Sequence, residues 1–276
     1  MEQFREQFRD LASAANQTWT AVTELVASLE PDDWNRPTPC VGWSVKDVLA
    51  HIGHIEGMLV HQFDQPDPPA DWIGEGSPLD QVTNQGVAAR RNWTTNQVTD
   101  EIERAAAATS VLLDKPDLDW NETALTPVGP ARRNVAVEMR VNDAFLHLCD
   151  LRTAIGRPID GSGINESNEE LGRAVAIGRA VRLSPWAWAK RVGATEGQRL
   201  RLRLSGSGGV DHDVVMRDSQ AVVEPENGSP DALVKGTGLA YLLAVSGRHA
   251  LVPAGGGLVA TGEPARVLLE KFRLVG

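Results

Sequence analysis

Three side chains in one stretch of sequence set the chemical question. Asp143, His147 and Asp150 interrupt an apolar run that includes Val141, Ala144, Phe145, Leu148 and Leu151. Successive residues turn about 100° around a helix axis, so these three share one stripe. Burying an unpaired carboxylate is costly, and something must compensate it. A carboxylate and an imidazole at i and i+4 are neighbours that can share one cation, as two histidines do in helical zinc motifs. His51 supplies a further donor from a separate segment, where it projects between Val48 and Ile55 and so points toward a core. Two nitrogens and one oxygen leave a fourth position open for water or substrate, the pattern of catalytic zinc. Two plainer readings stand beside this one. His51 is a hydrogen-bonded core histidine and Asp143–His147 a simple buried pair, or the whole trio is a core network with no ion.

The surrounding polar residues divide in the same way. His54, one turn beyond His51, either supports the ligands from behind or is a partly exposed polar residue. Asp150 either orients His147 or pairs with Arg152 or Arg140. Cys149 projects away from the stripe as a small core residue, and Cys40 reads as a packed or idle thiol in a loop. His61, His212 and His249 have no evident partner. Gly255 to Gly257 is a turn without a phosphate-loop pattern.

Helices must position these groups. Phe4, Phe8, Leu11, Ala15, Trp19, Val22, Leu25, Val26 and Leu29 recur at three- and four-residue steps, which predicts a long amphipathic helix stopped by Pro31. Ser44 with Asp47 is close to a capping box and opens a helix to about Gln62 that carries His51. A Pro-, Gly- and Asp-rich loop spans Asp64 to Pro78, helices follow over about 79–92 and 95–115, and Pro116 to Pro130 breaks the pattern. From about Asn134 to Ile155 the chain is helical and apolar on nearly every side, hence buried. The order suggests an up-down four-helix bundle.

A boundary falls at 157–163, giving domains 1–157 and 158–276. A helix over about 167–183 precedes a change of period. Leu200, Leu202 and Leu204 alternate with Arg201, Arg203 and Ser205 as a half-buried strand; Val214–Met216 and Ala221–Val223 continue it. Gly238 to Ser246 reads as a helix, Leu258–Val259 as a strand, and Pro264 to Phe272 as a closing helix. The fold class is therefore α+β, a helical bundle followed by a smaller α+β domain.

Composition narrows the partners. Hydrophobic residues make up 42% of the 276, enough for a real core. A net charge of -10 opposes nucleic acid and anionic membrane as partners, and no apolar run approaches a membrane helix. Two cysteines are too few for a disulfide framework and no signal peptide is evident, so a cytoplasmic location is expected.

The run Thr38-Pro39-Cys40-Val41-Gly42-Trp43-Ser44-Val45-Lys46-Asp47-Val48-Leu49-Ala50-His51 resembles the N-terminal motif of mycothiol-dependent maleylpyruvate isomerases, DinB-like metal-binding four-helix enzymes. The run from Asp143 to Arg152 is similar to the family's second metal motif, with Asp143 where the family carries Glu. Gly247-Arg248 and Thr261-Gly262-Glu263-Pro264 resemble its small sterol-carrier-like C-terminal domain.

The resemblance implies a divalent metal, zinc first, on His51, Asp143 and His147, with mycothiol as cosubstrate. The thiol adds to an electrophilic small molecule; cis–trans isomerisation or S-transfer then follows. Arg248 is the candidate to grip a substrate carboxylate, against a surface role. Trp43 packs the start of its helix or touches substrate. A non-catalytic, metal-bound binding or regulatory protein is the alternative class. A monomer or homodimer is expected.

Overall fold

The computed structural model describes residues 2–60, 66–74, 76–159, 169–252 and 257–274, with side chains from residue 8 onward. Gln62 and Ser167, the outer limits expected for two helices, lie outside the described residues, as do His61, Gly255, Gly256 and the end of the expected boundary segment. The chain divides into two compact units, Met1–Gly172 and Arg173–Gly276.

The first unit is built on α1 (Glu2–Ala27), α2 (Val45–Val60), α3 (Pro78–Arg90), α4 (Thr95–Leu113) and α5 (Arg133–Ala154). Helices α1 and α2 each lie against both α4 and α5, which closes a four-helix bundle, while α3 packs on α2. Phe8, Ala15, Trp19, Val22, Leu25 and Val26 form the buried stripe of α1, at the expected helical spacing. Every residue of α5 from Ala144 to Arg152 is buried, so this helix has no solvent face over that length. Any polar group it carries there must find a partner.

Sequence periodicity missed a hairpin in the first unit. β1 (Thr123–Thr126) and β2 (Gly129–Arg132) pair antiparallel across the end of the Pro116–Pro130 break, with Pro130 opposite Leu125. Proline is tolerated at a sheet edge, and this sheet has only edges.

The second unit holds most of α6 (Glu170–Ala187), a π-helical turn at Trp188–Val192, and a five-stranded sheet. Its strands are β3 (Arg199–Ser205), β4 (Val210–Arg217), β5 (Gln220–Glu224), β6 (Ala232–Thr237) and β7 (Leu258–Thr261), in the order β5-β4-β3-β6-β7. Helices α7 (Gly238–Val245) and α8 (Glu263–Lys271) complete it. All neighbouring strands are antiparallel except β3 and β6. The alternation of β3 is as expected, with Leu200, Leu202 and Leu204 buried on one face and three arginines on the other. Strand β6 was not anticipated, because Lys235 and Gly236 break its apolar pattern. Among the described residues, no helix is long and apolar enough to cross a membrane.

Candidate metal centre

The site begins with the loop that leads into α2. An isolated bridge pairs Pro37 with Ser44, and the Thr38 amide donates to the Trp43 carbonyl at 3.0 Å. Gly42 turns the loop at φ +79°, a backbone region that L side chains rarely adopt. Ser44 and Asp47 then form a reciprocal cap. The Ser44 amide donates to Asp47 Oδ2 at 3.0 Å, and the Asp47 amide donates to Ser44 Oγ at 3.2 Å. This fixes the start of α2 and carries His51, less than two turns on, into the bundle.

His51, Asp143 and His147 converge. His51 Nε2 lies 3.5 Å from Asp143 Oδ2, and His147 Nε2 lies 3.6 Å from Asp143 Oδ1. The two imidazoles stand edge to face with centroids 4.8 Å apart, and Trp43 lies 5.1 Å from the His51 ring. Both histidines are buried, whereas the Asp143 side chain keeps 15% of its surface. One donor atom from each of the three lies within 4.8 Å of the others.

Behind His147 sits Asp150, fully buried, with Oδ2 at 3.0 Å from His147 Nδ1. Of the two roles open in the sequence, the structure places Asp150 against His147; Arg152 pairs with Glu169 and Arg140 with Glu56 and Asp143. His147 Nε2 is thereby the nitrogen turned toward His51 and Asp143.

A sequence model of the mycothiol maleylpyruvate isomerase N-terminal domain matches residues 15–152, half of the chain and the span that holds all three convergent residues. The chain belongs to that family. Two solved structures share the fold: a mycothiol-dependent maleylpyruvate isomerase (16% identity, TM-score 0.57) and a point mutant of one (15% identity, TM-score 0.56). Each alignment covers 92% of both chains. A comparison with curated proteins gives no match.

The family's helical domain here carries a charge pattern suited to a cation. Burial lowers His51 to about 4, against the opposing pull of Asp143, so its imidazole is neutral and free to act as a ligand. Burial would also lower His147, but the Asp143 charge and hydrogen bonds to Asp150 and Cys40 outweigh it and raise the group to about 10. Asp143 stays ionised because Arg140 and the two histidines outweigh the effect of burial. Separations of 3.5 and 3.6 Å are long for imidazole–carboxylate hydrogen bonds. They suit donors that each lie ~2.0–2.2 Å from a shared ion. The residues present fit a divalent metal.

Other expected residues go elsewhere. His54 is buried rather than partly exposed, and it is not gathered with the trio: its Nδ1 lies 3.4 Å from Arg90 Nη1. A Cβ on Gly86 would meet the His54 ring at 2.1 Å, so glycine is what lets α3 close on this side of α2. Arg90 in turn forks onto Glu101 with two contacts of 2.6 Å. Arg248 lies in the second unit, half-buried beyond the end of α7, where its Nη1 donates to the Ser246 carbonyl at 3.3 Å.

Two features escaped sequence reasoning. Cys40 is not idle: its Sγ lies 3.3 Å from Asp150 Oδ2 and 3.7 Å from His147 Nδ1. The only signal was its place in the motif that ends at His51. Arg140 and Glu56 also join the site, Arg140 one turn before Asp143 on the same face of α5, a spacing that pointed to it directly.

Proposed function

We propose that this protein is a metal-dependent enzyme that activates a low-molecular-weight thiol, mycothiol, for addition to an electron-poor double bond, as a maleylpyruvate isomerase-like catalyst. One observation carries the reading. Two buried imidazoles from two helices turn toward one carboxylate at distances suited to a shared ion, with Asp150 behind one of them.

His51, Asp143 and His147 would hold the ion, zinc in preference because two imidazoles and one carboxylate suit it. When bound, a divalent ion deprotonates a coordinating thiol, which is mostly protonated when free near neutral pH. The remaining work belongs to the chain. Asp150 accepts from His147 Nδ1 and so keeps Nε2 available as a lone pair. Trp43 walls the site beside both imidazoles and limits the approach of water. Arg248 carries a guanidinium of the kind that grips a substrate carboxylate bidentately. Thiol addition, rotation about the resulting single bond and expulsion of the same thiol give isomerisation with no net consumption of thiol.

The test uses protein purified without an affinity tag. About one zinc per chain by elemental analysis, followed by conversion of maleylpyruvate with mycothiol and an unchanged thiol concentration, supports the reading. Thiol consumed in step with product indicates an S-transferase. An inert protein with full metal occupancy indicates a metal-bound binding protein.

A further inference from the structure

Asp143 is held by more than the two histidines. Arg140 Nη1 donates to Asp143 Oδ2 at 2.8 Å, and Arg140 Nε donates to Glu56 Oε2 at 3.1 Å. The other oxygen of Glu56 accepts from the Thr109 hydroxyl. Glu56 and Thr109 are no more than 2% exposed and Arg140 is 7% exposed. A continuous chain of charge and hydrogen bonds therefore runs from α4 through α2 to α5 and ends on the carboxylate that faces both imidazoles.

Arg90 and Arg152 each direct two donors at a single carboxylate, Glu101 and Glu169. Arg140 instead divides its fork between two carboxylates and leaves Nη2 with no hydrogen-bond partner among the described residues. A buried, unpaired donor is a cost that the fold tolerates for a reason. The division has a consequence for Asp143. Its Oδ2 accepts the short hydrogen bond from Arg140 and has His51 Nε2 at 3.5 Å, while Oδ1 faces His147 with no guanidinium contact among the described residues.

We infer that Arg140, anchored by Glu56, is a positioning residue that occupies Oδ2 of Asp143 and so restricts this carboxylate to a single-oxygen ligand. The inference rests on the metal reading above. Restricting Asp143 to one oxygen keeps the protein's donors at three and preserves the position at which a thiol can bind. The guanidinium also withdraws charge from the carboxylate, which leaves a bound ion more electron-poor. Glu56 offsets the positive charge and holds Arg140 in place.

Cobalt(II) tests this without reference to turnover, because its visible absorption is strong in four-coordinate sites and weak in five-coordinate ones. The wild-type protein loaded with cobalt is compared with the double variant Arg140→Met/Glu56→Gln, which removes both buried charges together and avoids leaving either alone. Circular dichroism verifies the fold. The expected result is a clear fall in molar absorption in the double variant, as the second Asp143 oxygen joins the ion, with cobalt affinity altered at least about tenfold, the range seen when partners behind a ligand are removed. Arg140→Lys keeps a charge but loses the fork, and it is expected to change the spectrum in the same direction. Spectra and affinities that match wild type in both variants overturn the inference and leave the metal reading intact. A wild-type protein that takes up no cobalt overturns both.

Discussion

Two aspartates, Asp213 in the second unit and Asp143 in the first, show how differently the same side chain can be used. Asp213 on β4 is fully buried and saturated: it accepts from Arg201 at 2.7 and 3.0 Å, from Arg199 at 2.7 Å and from the Asn227 amide at 2.9 Å. Asp143 accepts one short hydrogen bond, from Arg140, and faces two imidazoles at distances too long to serve as good ones. The first is closed, with every lone-pair direction used for holding strands together. The second is open toward a point between three donors. A carboxylate surrounded by satisfied donors reports on stability, and one whose neighbours stop short of it reports on something that comes between them.

Substitutions sharpen that contrast. His51→Ala and Asp143→Ala are expected to drop zinc from about one ion per chain to near none, because a site with three protein ligands does not survive on two. Elemental analysis after dialysis reads this, and retained occupancy contradicts the ligand assignment. Asp213→Ala should do the reverse, lowering the thermal midpoint by several degrees with metal content unchanged, since it removes the acceptor shared by Arg199, Arg201 and the Asn227 amide.

The two regions also differ in what sets their pH dependence, a raised imidazole in one and a lowered carboxylate in the other, although both quantities rise with pH. His147 must lose a proton to take a metal, and its metal-free pKa is raised to about 10. At every pH below that value a proton competes with the ion. Zinc affinity is therefore expected to rise by about tenfold per pH unit between pH 6 and 8, read by competition with a chromophoric chelator. Asp213 is held down to about 2 because Arg201, the Asn227 amide and Arg199 outweigh its burial. A lowered carboxylate contributes stability that is complete above its unfolded pKa of ~3.9 and is lost as pH falls toward 2. Urea titrations across that window should show the loss in wild type and a shallower one in Asp213→Asn.

Smaller effects follow from the supporting residues. Asp150→Asn should weaken zinc binding by about 10–100-fold through its loss of grip on His147. Ser44→Ala removes the cap of α2 and should cost about 1 kcal/mol in unfolding free energy, with occupancy kept.

Much of this was legible in the sequence, and the reasons are physical. Helical period and the cap at Ser44 located α1, α2, α4 and α5, because a bundle buries one stripe of each helix and the stripe is written in every turn. The convergence of His51 on Asp143 and His147 was readable because all three sit on core-facing stripes. The hairpin β1–β2 and strand β6 were not, since four-residue strands and a Gly-broken strand depend on partners far along the chain. His54 looked like a neighbour of His51 on its helix, yet it turns to Arg90 because Gly86 opens a space there. Cys40 was read as idle because its partners, Asp150 and His147, lie more than a hundred residues away in sequence.

Anomalous scattering at the zinc edge, from crystals of untagged protein supplied with zinc, addresses the central claim most directly. The expected result is one strong peak bounded by His51, Asp143 and His147. No peak in that space, or one bounded instead by Cys40, Asp150 and the Nδ1 side of His147, contradicts it.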